Sequence, residues 1–288
     1  MIEKFFYIEP EMAKNLLTQI DGMRCDKRGV DRKAYLFDEY AVLSASRIKI
    51  RNGVRDDNLA YFDELIHILW QLSEQGVNVV PIYGYCFDPQ STDGTGYIFQ
   101  KRAKGEELYD DAIMKAYYVW GDKLNYLSSD VDPKEYILSR TALISRVPQG
   151  HFDKFISDII AIVNQDIMID CMGKSNFFYH EEVGFQFIDI DSFTDIKYGL
   201  TNERLDSGMI AAMIGLIPCH PSVGTELFAI QALAEDKISG FCNNELQQLA
   251  EDNAVIYEKC KTALRNNGIL TEPPARFQAY QFTKKLDL

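Results

Sequence analysis

The chain has 288 residues, of which 47% are apolar and 25% charged, enough for one large core or two smaller ones. Its net charge of −13 and the lack of any long basic run argue against a nucleic-acid partner. No stretch reaches the roughly 20 apolar residues of a membrane helix. The N-terminal segment carries Glu3 and no cleavage-site pattern, so the expectation is a cytoplasmic protein with no membrane partner.

In chain order, Ile8 to Gly22 is expected to be a helix with Met12, Leu16, Leu17 and Ile20 on its apolar face. A polar turn with Gly22 and Gly29 leads to two strands, Lys33 to Phe37 and Tyr40 to Ser46, joined by Asp38-Glu39 as a hairpin. Asp57 to Gln75 has a broad apolar face and ends at Gly76, which predicts a second helix. Val77 to Cys86 and Gly96 to Gln100 are strand-like and flank a turn rich in Asp, Pro, Ser and Gly.

Beyond Gly105 the pattern is helical, with helices expected at Glu106–Tyr118, Asp132–Leu143, His151–Asp166, Ser207–Ile217, Gly224–Ala234 and Asn243–Asn266. One hairpin interrupts them: Asn176 to Tyr179, the turn His180 to Gly184, then Phe185 to Ile190. A mostly β first part and a mostly helical second part make an α+β protein.

Two short basic clusters, Arg47 to Arg51 and Lys101 to Lys104, are each followed closely by acidic residues. They read as solvated surface or as a phosphate-facing patch. The six cysteines are scattered without a CxxC pair and read as reduced thiols, and the four histidines form no HxxxH set.

The hairpin carries the chemistry. Asn176 begins its first strand and Asp189 ends its second, which holds an amide oxygen and a carboxylate side by side. Mg²⁺ takes such oxygens and keeps waters and phosphate oxygens as further ligands. Asp170 precedes Asn176 and either caps a helix or orients a nucleophile. Asp189 and Asp191 equally suit a strand end and a helix cap.

This order resembles the protein kinase-like superfamily, in particular atypical bacterial-type kinases and relatives of the aminoglycoside phosphotransferases. There a catalytic loop H-R-D-x-x-x-x-N is followed by a hairpin and D-F-G. Asn176 matches the loop asparagine, and Asp189-Ile190-Asp191 stands in place of D-F-G. The resemblance runs from roughly residue 22 to residue 192.

It implies a two-lobed kinase-like fold, with a small β-rich N-lobe over residues 1–102 and a larger helical C-lobe over residues 103–288. It implies ATP and Mg²⁺ as cofactors and a hydroxyl acceptor, protein or small molecule, as partner. Asn176 and Asp189 would be the metal residues and Asp170 the catalytic one. Glu64 would be the ion-pairing glutamate of the second helix. The backbone of Gln100, Lys101, Arg102 and Ala103 would meet the nucleotide base, and Lys104 to Leu108 would open the second lobe.

The sequence departs from the family at three motif positions. The strand-three lysine is missing near Ser44, with Arg47 and Lys49 further along. No G-x-G-x-x-G joins the first strands. Cys171 stands where the family has its aspartate, with Asp170 one residue earlier. These departures keep two alternatives open. One is a pseudokinase acting as a binding or scaffold module. The other is an unrelated α+β fold in which the hairpin carboxylates are structural.

Overall fold

A computed structural model describes residues 2–25, 27–28, 32–45, 56–87, 96–108, 132–165, 177–188 and 242–269. The chain divides into two compact units, Met1–Ala103 and Lys104–Leu288. The fold class is α+β.

The first unit is built on a six-stranded antiparallel sheet with strand order β1-β5-β6-β4-β3-β2. Its strands are β1 (Ile2–Phe5), β2 (Lys27–Arg28), β3 (Arg32–Leu36), β4 (Tyr40–Ala45), β5 (Ile82–Phe87) and β6 (Gly96–Lys101). Two helices accompany it, α1 (Pro10–Ile20) and α2 (Asp56–Glu74).

Helix α1 starts with Pro10 in its first turn, where a missing N–H costs nothing. It buries Ala13, Leu16 and Ile20 against Tyr35, Val42, Cys86 and Phe99. Ala13 therefore takes the place expected of Met12, which is exposed. Helix α2 buries Phe62, Leu65, Ile66, Leu69 and Leu72. The Phe62 ring lies 5.1 Å from that of Tyr85 and 6.4 Å from that of Phe87, so α2 covers the opposite face of the sheet.

Two boundaries differ from the sequence expectation. Strand β1 pairs with β5 from Ile2↔Phe87 to Phe5↔Gly84, in a segment with no strand pattern of its own. Strand β5 begins at Ile82 rather than at Val77. The Val77 N–H still bonds to Leu72 O, and the Val79 N–H turns back to Val77 O. Pro81 has no N–H to give a ladder.

The second unit contains the three-stranded sheet β7-β8-β9, formed by β7 (Glu106–Glu107), β8 (Phe177–His180) and β9 (Gly184–Phe187). Its described helices are α3 (Pro133–Arg146), α4 (Gln149–Val163) and α5 (Asn243–Asn266). Glu106 and Glu107 are thus a strand where a helix was expected to begin. They pair with Tyr179 and Phe178, a partner that local sequence does not reveal. The helices expected at Ser207–Ile217 and Gly224–Ala234 lie outside the described residues.

Phe155 on α4 is the centre of this unit's aromatic packing. It stacks on Phe187 at 5.1 Å and meets Phe185 at 5.1 Å and Phe177 at 5.7 Å edge-on. Helix α5 joins α3 through Lys134–Glu245 and through the buried bond from Ser145 Oγ to Asp252 at 2.8 Å. Lys259 donates to the carbonyls of Ser145 and Val147, both at 2.6 Å, and so closes the C-terminal end of α3. No helix among the described residues is long and apolar enough to cross a membrane.

Gly105 and Gly268 both have positive φ, +81° and +78°, where a Cβ costs about 1–2 kcal/mol. A Cβ on Gly105 would also sit 2.0 Å from the Tyr179 carbonyl oxygen, whereas one on Gly268 would meet nothing within 4 Å. Gly105→Ala is therefore expected to destabilise this unit by about 1–3 kcal/mol more than Gly268→Ala. Denaturant unfolding of the two variants checks the difference.

Candidate functional site

Strand alternation decides which side chains of the first sheet approach α2. Val42 and Phe99 lie directly opposite each other and belong to the core under α1. Ser44 pairs with Tyr97, which packs against that same core. Ser44 is therefore on the α1 face. The β4 side chains on the α2 face include Ala41 and Leu43, the latter aligned with Ile98 and, through it, with Tyr85. Among the described residues, β4 offers no cation to α2. Arg47 and Lys49 lie outside the described residues.

On α2, Glu64 is exposed to solvent. The carboxylate that engages the sheet is its neighbour Asp63. Asp63 accepts from Lys4 Nζ on β1 and, at 2.7 Å, from the Tyr85 hydroxyl on β5. The Asp63 side chain is 18% exposed, while Tyr85 is fully buried. Burial, followed by the bond to Asp63, holds the Tyr85 phenol well above its ordinary pKa. The cations expected opposite Glu64, Arg47 and Lys49, lie outside the described residues, and the Lys4–Asp63 pair was not among the sequence expectations. The signal available in the sequence was the α2 period, which places Asp63 beside buried Phe62 and Ile66.

The segment Gln100 to Ala103 closes β6 and the first unit. Gln100 is buried and pairs with Ala41 and Ile82. Two of its backbone donors are already committed. The Lys101 N–H bonds to Pro81 O at 3.0 Å, and the Arg102 N–H bonds to Glu39 O at 2.9 Å. The Arg102 guanidinium also donates to Phe37 O at 2.9 Å. An adenine edge at this segment would therefore have to use groups other than the N–H of Lys101 and Arg102.

The second unit opens with an equally committed backbone. Gln186 on β9 is buried, and its amide grips Lys104 at both polar groups. Lys104 N–H donates to Gln186 Oε1 at 3.1 Å, and Gln186 Nε2 donates to Lys104 O at 2.6 Å. Gly105 then passes against the Tyr179 carbonyl. The Tyr179 hydroxyl meets His151 Nδ1 at 3.2 Å.

The hairpin expected to carry the metal residues is present as β8–β9, with Phe177 opposite Phe187 and His180 opposite Gly184. Asn176, Asp189 and Asp170, with Cys171, lie outside the described residues. Among the described residues, no three His, Cys, Asp or Glu side chains come together as a metal-holding group.

No protein-family model matches the chain, and no curated protein matches it by sequence. Solved structures do align with it. WaaP in complex with acyl carrier protein aligns at 11% identity and a TM-score of 0.37, over 91% of this chain and 99% of that one. A PAN3 pseudokinase mutant from Neurospora crassa aligns at 10% identity and a TM-score of 0.38, over 97% and 72%. WbdD bound to the kinase inhibitor LY294002 aligns at 11% identity and a TM-score of 0.32, over 82% and 50%. Superpositions this loose do not distinguish a family.

The contrast between the two adjacent acids is testable. Asp63→Ala leaves the buried Tyr85 hydroxyl without its acceptor and is expected to cost about 1–3 kcal/mol. Glu64→Ala should leave the unfolding midpoint unchanged. Chemical unfolding followed by circular dichroism measures both.

Proposed function

We propose that the chain is an ATP- and Mg²⁺-dependent phosphotransferase of the kinase-like superfamily, acting on a hydroxyl of a protein or a small molecule. The observation that supports it best is the register of the β8–β9 hairpin. Phe177 faces Phe187 at its open end, and the chain enters that end from Asn176 and leaves it through Ile188 to Asp189. An amide oxygen and a carboxylate suit Mg²⁺, which neutralises phosphate charge when bound. The strands and helix of the first unit, in the order β3, β4, α2, β5, β6, add support.

In this reading Asn176 and Asp189 hold the metal, and Asp170 orients the acceptor hydroxyl. Backbone groups of Gln100 and Ala103, with the carbonyls of Lys101 and Arg102, meet the base. Glu64, exposed on α2, is open to pair with a cation such as Arg47 or Lys49.

The second reading is a pseudokinase that retains the fold as a binding module. A specific observation favours it. Alternation places Ser44 on the α1 face and leaves Ala41 and Leu43 toward α2, where the family's lysine would reach its glutamate.

Thermal unfolding with Mg²⁺-ATP, combined with release of labelled γ-phosphate, separates these readings. At nucleotide about tenfold above its Kd, the midpoint should rise on the order of 3 °C. The rise should depend on Mg²⁺ and vanish in Asp189→Ala. Phosphate release lost in Asp170→Ala would mark the enzyme. A rise without any release would mark a nucleotide-binding pseudokinase, and no rise at millimolar nucleotide would reject the enzyme and leave a scaffold pseudokinase or an unrelated fold.

A further inference from the structure

We propose that the N-terminal segment Lys4 to Tyr7 is a strap that sets the position of α2 on the sheet. It is a conformational device independent of any nucleotide.

The segment is anchored to the sheet by backbone pairing and by the Phe5 ring, which meets Phe99 edge-on at 5.7 Å. Ile2 to Phe5 pair with β5 from Phe87 to Gly84. The Phe6 and Tyr7 N–H groups then both bond to Tyr83 O at 3.0 Å. None of these bonds involves α2.

On its other side the segment grips α2 with side chains. Lys4 pairs with Asp63. The Phe6 ring meets His67 edge-on at 4.9 Å. The Tyr7 hydroxyl lies 2.7 Å from His67 Nδ1, and the Tyr7 ring stacks on Trp70 at 4.1 Å and an interplanar angle of 4°. Asp63, His67 and Trp70 follow at helical spacing and form one stripe along α2. The stripe is separate from Phe62, Leu65, Ile66, Leu69 and Leu72, which α2 buries.

These two kinds of contact do different work. The buried apolar residues drive α2 onto the sheet by a force that is itself non-directional, and close packing then limits its position. An ion pair, a hydrogen bond and a parallel ring stack fix register. All three come from Lys4 near the end of β1 and Tyr7 just beyond it, and they add to the one directional bond that β5 itself gives α2, from the Tyr85 hydroxyl to Asp63. Losing these contacts would loosen α2, which would keep its buried face and the Tyr85–Asp63 bond, without unfolding the sheet.

Amide hydrogen exchange on the full chain without nucleotide tests the inference, using Lys4→Met/Tyr7→Ala. Both substitutions leave the β1–β5 backbone ladder unaltered. Amides of α2 between residues 62 and 74 should exchange about tenfold faster than in the parent, while those of β4 and β6 change less than about twofold. Equal acceleration in α2 and in the sheet would overturn the proposal, because the contacts would then be only part of the common core. Unchanged exchange in α2 would also overturn it. Should the double variant fail to fold, Tyr7→Phe removes only the hydroxyl. The same comparison then applies, with about threefold faster exchange expected in α2 and the same two outcomes against it.

Discussion

Side-chain alternation along a sheet covered on both faces is the constraint from which most of the first unit follows. Successive residues of β4 point to opposite faces. Once Val42 lies under α1, Ala41 and Leu43 are committed to α2 and Ser44 is not. A shift of one residue would exchange the two cores, so the register is strongly specified. The same constraint places Tyr85 and Phe87 under α2 while Cys86 joins the α1 side. Burial there pushes the Cys86 thiol up to about 11, as expected of an inert core cysteine.

Against that frame, polar groups mark where one element is tied to another. Asp63 receives Lys4 from one strand and Tyr85 from the next. Gln186 satisfies both backbone groups of Lys104. Pro81 and Glu39 supply carbonyls to Lys101 and Arg102. Buried or half-buried polar groups need partners, and here the partners are the protein's own. The backbone at the end of β6 and, in the other unit, at the start of β7 is therefore held by the protein's own groups.

The lack of a lysine at the α2 side of β4 and the grip of Lys4 on Asp63 bear on each other. In kinases the strand-three lysine meets the phosphates and the helix glutamate together. Here Asp63 on α2 meets Lys4 of β1 and Tyr85 of β5, and His67 and Trp70 meet Tyr7 just beyond β1. A helix held in that way has no structural need of a lysine on β4.

What the sequence by itself determined was local. Apolar period and punctuation place α1, α2, α5 and the β8–β9 hairpin, because amphipathic faces, Gly76 and the polar turn at His180 to Gly184 act over a few residues. The α+β class follows from the same signals. Tertiary structure decided what depends on partners distant in the chain. Strand β1 is a strand because β5 presents an edge to it. Glu106 and Glu107 are a strand because β8 does the same. Met12 yields to Ala13, and Asp63 meets Lys4 and Tyr85, because a helix face is settled only by the surface it meets. Hydrophobic period sets the width of a helix's apolar face, whereas its rotation on the sheet is fixed by packing and paired charges that join residues remote in sequence.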